Sequence, residues 1–263
     1  MNDIIENVTW SFPPTYNRNG RSRAPYDTIS IIKIHSDLFT EPTIVMSDIH
    51  GNTNELIHML NEYVNLSKFI VITAGDMAGQ HLYGSDGDPS DYYEFLKNQS
   101  LQFYYVQGNH DLPSKKKIDG SLDCKTVNTS IGKIGGVDGI ISGKNHAYKF
   151  YESDYMAKLR DVLMKNPHII VTHDTPSIPI NNKYGERYIG RENIYEMINK
   201  SKVKIHIYGH CHHEQIINVV NGKHYINVDG RVLIFIPDKN LTDESLFHKK
   251  LIDTYSISAK NLK

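Results

Sequence analysis

Five short apolar runs in this sequence end in residues that can bind a metal or move a proton, and this recurrence constrains the fold strongly. The runs cover residues 43–47, 68–73, 101–107, 169–172 and 203–208. Short runs of apolar and β-branched residues are typical of buried strands. In parallel sheets, functional side chains collect at the carboxyl ends of the strands. The pattern therefore predicts a sheet that gathers five polar strand ends at one edge.

Predicted helices separate several of these strands. The sequence favours helices that begin near residues 52, 88 and 153, and a shorter one near 192–200. Strands that alternate with helices are typical of an α/β fold with a parallel sheet. Asn221-Gly222 and Asp229-Gly230 suit tight turns, so we expect three antiparallel strands near the C-terminus. The sheet should therefore be mixed.

The length of the chain is enough for one large globular domain. It has 263 residues, of which 39% are hydrophobic and 22% charged. We expect an N-terminal arm and an edge strand within residues 1–40, the strand itself near 28–34. The main domain should cover residues 41–237, and a peripheral tail should cover 238–263.

Charge and cysteine content exclude several classes of protein. The formal net charge is −1, which gives no bulk attraction to nucleic acid or to an anionic membrane. The acidic N-terminus does not resemble a signal peptide, and no apolar run is long enough to span a membrane, so we expect a cytoplasmic protein. Cys124 and Cys211 are too isolated for a disulfide framework or a thiolate zinc site. The sequence does not indicate the oligomeric state.

The polar strand ends carry a rich set of oxygen and nitrogen donors. They comprise Asp48, His50, Asp76, Asn109, His110, His173, His210 and His212. One histidine at a strand end is usually an ordinary polar residue, but five recurrences are not independent accidents. The set is too large for one divalent ion and suits two. Two such ions need a shared carboxylate, and Asp76 is the expected one. Together the ions would clamp a phosphate and lower the pKa of a bridging water.

The order of these residues resembles a known family. Asp48-x-His50, Gly75-Asp76, Gly108-Asn109-His110-Asp111, His173 and Gly209-His210-x-His212 are similar to the motifs of the calcineurin-like metallophosphoesterase superfamily. The resemblance implies a four-layer α/β/β/α sandwich with two mixed sheets. It implies one metal held by Asp48, His50, Asp76 and His212, and another held by Asp76, Asn109, His173 and His210. His110 would be a catalytic histidine near the scissile phosphate, oriented by Asp111.

The resemblance also implies a function. It indicates a hydrolase of phosphoric esters with two divalent ions, Mn, Fe or Zn, of which Mn is favoured in vitro, and attack by a metal-bridging hydroxide. Residues 75–79 lack the Asp-Arg-Gly of the Ser/Thr protein phosphatases, and Asp111 stands where those enzymes carry Glu. A short phosphodiesterase-like member acting on a nucleotide or another small phosphodiester is therefore expected. The alternatives are a nuclease, a phosphomonoesterase, or a metal-binding scaffold without catalysis.

Overall fold

A computed structural model of the protein describes residues 3–11, 28–50, 53–78, 86–114, 116–179 and 190–248. The strands of the described chain are β1 (Asp3–Ser11), β2 (Thr28–His35), β3 (Thr43–Ser47), β4 (Ile70–Ala74), β5 (Gln102–Val106), β6 (Thr126–Thr129), β7 (Gly132–Val137), β8 (Ile140–Ile141), β9 (Lys149–Phe150), β10 (Ile169–Thr172), β11 (Ile205–Tyr208), β12 (Ile217–Val220), β13 (Lys223–Asn227) and β14 (Arg231–Ile236). The α-helices are α1 (Thr53–Tyr63), α2 (Ser90–Gln99), α3 (Glu152–Met164) and α4 (Glu192–Asn199). All four helices begin within two residues of the predicted positions.

Two six-stranded sheets form the centre of the structure. The first has the order β1-β2-β14-β3-β4-β5, and the second has the order β12-β13-β11-β10-β7-β6. Both contain parallel and antiparallel neighbours, so both are mixed. The strands β8 and β9 form a separate pair.

Three hydrophobic clusters separate four layers. The first lies between the helices α1 and α2 and the outer face of the first sheet, where Leu56 and Leu60 pack with Met46. The second lies between the two sheets and contains Val45, and the third packs α3 and α4 on the second sheet. Val45 and Met46 enter different clusters because successive strand residues point to opposite faces. This arrangement confirms the predicted α/β/β/α sandwich.

The first sheet differs from the prediction at its edge. The strand expected at the edge near residues 28–34 lies inside the sheet, because β2 pairs with both β1 and β14. The edge strand is β1, in the segment expected to be an arm. Its register shifts between Ile4 and Glu6, and such a bulge breaks the alternation of side chains by which a strand is predicted.

The expected three-stranded meander is correct at its first turn and wrong at its second. Asn221 and Gly222 have φ angles of 52° and 72° and join β12 to β13 as a hairpin. At Asp229-Gly230 the chain instead crosses to the first sheet, where β14 lies between β2 and β3. All six side chains of β14 are buried, and a strand that is apolar on both faces needs a position inside a sheet covered on both sides.

The tail is described only to residue 248. Its described part forms two short 3-10 helices, Asp238–Asn240 and Glu244–Leu246. Leu246 is buried in the first cluster. Residues 12–27 of the predicted arm and 249–263 of the predicted tail lie outside the described residues. The division into arm, main domain and tail stays a prediction.

Candidate metal centre

The predicted ligands all follow the carboxyl ends of β3, β4, β5, β10 and β11. Backbone hydrogen bonds join the first two of these ends, because the amides of Asp48 and His50 donate to the carbonyl oxygens of Gly75 and Asp76 at 3.1 and 3.2 Å. The strands β3 and β4 are parallel neighbours. Their ends are therefore adjacent at one edge of the sheet, as the sequence predicts.

The backbone reaches this geometry through an uncommon conformation. Asp48, His50, Asp76 and His210 have φ angles of 59°, 48°, 51° and 68°. Residues with a Cβ seldom adopt the left-handed region, which costs about 1–3 kcal/mol each and tends to occur at functional sites. The strand β3 ends at Ser47, so this conformation, and not a continued strand, positions Asp48 and His50.

The carboxylate of Asp76 occupies the middle of the cluster. Its Oδ2 lies 3.7 Å from Nε2 of His50 and 3.3 Å from Nε2 of His173. Nε2 of His50 is also 3.7 Å from Oδ1 of Asp48, and Nε2 of His173 is 3.1 Å from Oδ1 of Asn109. One oxygen of Asp76 therefore faces both predicted ligand sets.

The buried ionisable groups of the cluster have strongly shifted pKa values. Burial opposes ionisation of Asp76, yet the charges of His173 and His50 hold its pKa well below the usual range. Burial also opposes a charge on either imidazole, but the neighbouring carboxylates raise the pKa of His173 to about 10 and that of His50 to about 9. Asp48, Asp76 and His173 each offer a ligand atom within 4.8 Å of the others. These buried oxygen and nitrogen donors fit a divalent transition ion.

The two predicted ligands after β11, His210 and His212, differ in their surroundings. The amide of His210 donates to Oδ2 of Asp48 at 3.0 Å, and its ring centroid is 5.2 Å from that of His173. The ring of His212 is exposed and lies between Asp229, 3.1 Å from Nδ1, and Arg231, 2.9 Å from Nε2. Asp229 and Arg231 were not singled out from the sequence, where Asp229 is indistinguishable from a turn residue.

His110 lies beside the cluster. Its ring centroid is 5.4 Å from that of His50, and its amide donates to Oδ1 of Asp76 at 2.8 Å. Its Nδ1 is 3.3 Å from Oδ1 of Asp86. Asp86 precedes Gly87, whose amide donates to the carbonyl oxygen of His110. The backbone thus holds the Asp86 segment against the histidine.

Asp111 has contacts that differ from the expected one with His110. Its buried carboxylate accepts hydrogen bonds from the amides of Asp76, Gly108 and Ala78 at 2.9, 2.8 and 3.1 Å. Burial and then the charge of Asp76 raise the pKa of Asp111 to about 7. Asp111 therefore braces the loops after β4 and β5, and the carboxylate beside the His110 ring is that of Asp86. The sequence could not show this, because Asp86 lies in an Asp- and Gly-rich loop.

With this geometry established, we compared the chain with known proteins. The family model described as calcineurin-like phosphoesterase matches residues 41–214. The chain belongs to this family. This calcineurin-like phosphoesterase is accordingly a metal-dependent hydrolase of phosphoric esters, which confirms the class of enzyme predicted from the motifs.

Two solved structures are similar to this chain at low sequence identity, and the first shares its fold. The protein TT1561 of Thermus thermophilus is 13% identical, with a TM-score of 0.52 over 72% of this chain and 90% of that one. Phosphopantetheinyl hydrolase from Mycobacterium tuberculosis is 12% identical, with a TM-score of 0.49 over 80% of this chain and 95% of that one. The second likeness indicates nothing about the substrate of the present chain. A search of the curated proteins finds no significant match.

Within the described ranges, no helix has the length and apolar character needed to cross a membrane. This finding does not test the predicted cytoplasmic location.

Proposed function

We propose that this calcineurin-like phosphoesterase hydrolyses small phosphodiesters, such as nucleotides, with two divalent cations. The observation that supports two cations is the position of Asp76, whose Oδ2 faces His50 on one side and His173 on the other. A shared carboxylate is the usual device for holding two ions close enough to act together. The proposed ligands remain those of the sequence analysis: Asp48, His50, Asp76, Asn109, His173, His210 and His212.

The cations would polarise the phosphoryl oxygens and supply an activated water at neutral pH. Hydrogen bonds within the chain orient the proposed ligands. Nδ1 of His173 is 2.7 Å from the carbonyl oxygen of Ala74, which keeps Nε2 directed at Asp76 and Asn109. A hydrogen bond of this kind fixes both the tautomer and the ring orientation of a ligating histidine. Manganese is the cation to test first, followed by iron and zinc, because carboxylate oxygens suit manganese and imidazole nitrogens suit iron and zinc.

His110 would protonate the leaving oxygen. The contact between its Nδ1 and Asp86 favours a proton on that nitrogen and fixes the orientation of the ring. Nε2 would be the atom that donates a proton as the ester bond breaks. The carboxylate that orients the ring is then Asp86, and Asp111 acts through the loop backbone. This division of roles replaces the one that the sequence suggested for Asp111.

The proposed diester substrate follows from the family resemblance, and the contacts of Arg231 agree with it. Its guanidinium donates to His212, to the carbonyl oxygen of His213 and to Asn227. The guanidinium of Arg231 is therefore hydrogen-bonded to acceptors within the protein and is not free to bind a substrate. A dianionic phosphomonoester gains more from a free guanidinium than a monoanionic diester does.

The proposal is tested by turnover of three substrates by the manganese-loaded protein. These are bis(p-nitrophenyl) phosphate, p-nitrophenyl phosphate and a single-stranded oligonucleotide. We expect the diester to be hydrolysed with the highest kcat/KM. Preference for the monoester would establish a phosphomonoesterase, and preference for the oligonucleotide would establish a nuclease. Manganese binding without turnover of any of them would establish the scaffold alternative.

A variant pair separates the proposed chemistry from general damage. His110→Ala should keep its metal and lose activity on a diester with an alkyl leaving group, whereas His58→Ala should keep both its metal and its activity on that diester. His58 is a suitable control because its exposed ring on α1 pairs with Glu62, one turn along the same helix. Loss of metal in His110→Ala would make His110 a ligand and contradict the role assigned to it.

A further inference from the structure

The ring of His212 has a partner on each nitrogen. Nδ1 is 3.1 Å from Oδ2 of Asp229, and Nε2 is 2.9 Å from Nη2 of Arg231. A guanidinium nitrogen can only donate, so Nε2 accepts this hydrogen bond with its lone pair. Nδ1 then carries the proton and donates it to Asp229. The lone pair that a metal would need is the one that Arg231 occupies.

Arg231 cannot leave this position easily. The residue is 5% exposed, and its guanidinium also donates to the carbonyl oxygen of His213 at 2.6 Å and to the side chain of Asn227. If the contact with Nε2 is broken, the other hydrogen bonds keep the positive charge beside His212. A cation bound to His212 therefore meets both competition for the lone pair and repulsion from a fixed charge.

Asp229 has the opposite effect on the same ring. It holds the proton on Nδ1, which leaves the lone pair on Nε2, as carboxylates commonly do for ligating histidines. A backbone bridge between Ser47 and Asp229 places it next to the residue before Asp48. Asp229 should therefore support a cation at His212 through ring orientation.

The other predicted ligand set has no such competitor on His173. Nδ1 of His173 contacts the carbonyl oxygen of Ala74 and leaves Nε2 facing Asp76 and Asn109, 3.3 and 3.1 Å away. Its partner is a neutral carbonyl, so a cation at His173 has to displace a proton from Nε2 but has no hydrogen bond to a cationic side chain to break. A cation at His50, whose Nε2 faces two carboxylates, has to displace a proton as well. The two sets thus differ in one respect: His212, unlike His173, has to lose a hydrogen bond from a guanidinium before it can bind a cation.

We infer that Arg231 competes with a divalent cation for His212, so that the two metal sites fill in order. The site with Asn109 and His173, here called the tight site, fills first. The site with Asp48, His50 and His212, here called the loose site, fills at a higher concentration of metal. This inference rests on the proposed two-cation function. It adds that occupancy of the second site, and with it turnover, varies with metal supply.

The test is a calorimetric titration of the metal-free protein with Mn²⁺, supported by electron paramagnetic resonance of the unbound ion. The wild type should show two affinities that differ by at least about tenfold. Arg231→Met removes the charge and the donor, and should tighten the loose site by about tenfold or more while leaving the tight site unchanged. Asp229→Asn should weaken the loose site by about 10–100-fold.

His212→Ala shows whether Arg231 affects metal binding through His212. It should abolish the loose site, and adding Arg231→Met to it should change nothing further. Arg231→Gln provides a second neutral variant that can still bond to Asn227, and urea unfolding of each variant shows whether it folds. Two equal sites in the wild type, or weaker binding at the loose site in both Arg231 variants, would overturn the inference while the proposed function stands. Absence of any bound Mn²⁺ would overturn both.

Discussion

A methyl group added at Gly108 should disable the centre without replacing any predicted ligand. An ideal Cβ at this position would lie 2.1 Å from Oδ1 of Asp76, 2.5 Å from its amide nitrogen and 2.6 Å from its Cγ. Ordinary contacts begin near 3.4 Å. The carboxylate of Asp76 must therefore move by more than about 1 Å, and a displacement of that size costs about 10²-fold in rate.

The hydrogen bonds around Asp76 add to this effect. Its Oδ1 accepts from the amide of His110 at 2.8 Å, and the amide of Gly108 donates to Asp111 at 2.8 Å. A shifted carboxylate loses its position between His50 and His173. Gly108→Ala should therefore reduce kcat/KM for a phosphodiester by about 10²-fold and weaken binding of manganese.

Gly143→Ala is the matched control, because an added Cβ there meets nothing within 4 Å. It should leave activity and metal affinity at the wild-type level. Both variants should be assayed well below their melting temperatures, since overpacking at Gly108 costs about 1–3 kcal/mol of stability. A folded Gly108→Ala with wild-type turnover and metal affinity would refute the argument that close approach of this glycine positions Asp76.

Three further changes test separate parts of the account. Asp76→Ala should remove the carboxylate shared by both proposed sites, so elemental analysis should find fewer than two metals and turnover should fall by at least about 10³-fold; retention of two metals would remove Asp76 as the bridge. Asp86→Asn should slow an alkyl leaving group about tenfold and nitrophenolate much less, as a mild version of His110→Ala; equal losses would reject the orienting role. Burial lowers the pKa of His206 to about 3, so the folded state resists protonation of this residue. The free energy of unfolding should therefore fall by up to about 1.4 kcal/mol per pH unit below pH 6.5. Urea unfolding at pH 7 and pH 5 measures this loss, which should be smaller in His206→Phe.

The position of His206 explains the sign of the last prediction. Its Nε2 lies 2.8 Å from the hydroxyl of Thr172, which itself donates to the carbonyl oxygen of Asp174. The hydroxyl must therefore accept from Nε2, and Nδ1 has no hydrogen-bond partner among the described residues. A second proton would be buried on Nδ1 without an acceptor. Stability from this residue is present above pH 6.5 and is lost as the pH falls toward the lowered pKa.

The layers and the main cluster could be predicted from the sequence because each depends on a repeated local pattern. Short apolar runs in the sequence form the strands β3, β4, β5, β10 and β11. The polar residues after them, such as Asp76 and Asn109, lie at one edge because functional side chains collect at the carboxyl ends of parallel strands. The order of the motifs then indicated the family, which the family match confirms.

The parts that were missed depend on long-range contacts. The strand β14 looks like the next strand of a meander, and only its burial on both faces explains its insertion between β2 and β3. Asp86 and Arg231 carry no local signal, since Asp86 lies in a loop and Arg231 begins a strand. Their contacts with His110 and His212 arise when distant segments meet.

The central claim is that two cations at the Asp76 cluster perform the hydrolysis. The most direct test removes all metal with a chelator and then follows phosphodiester turnover as Mn²⁺ is added back, with bound metal measured at each step. The account predicts no turnover in the metal-free protein and an activity that rises until two Mn²⁺ are bound per chain. Full turnover by the metal-free protein, or a maximum reached with one bound ion, would contradict it.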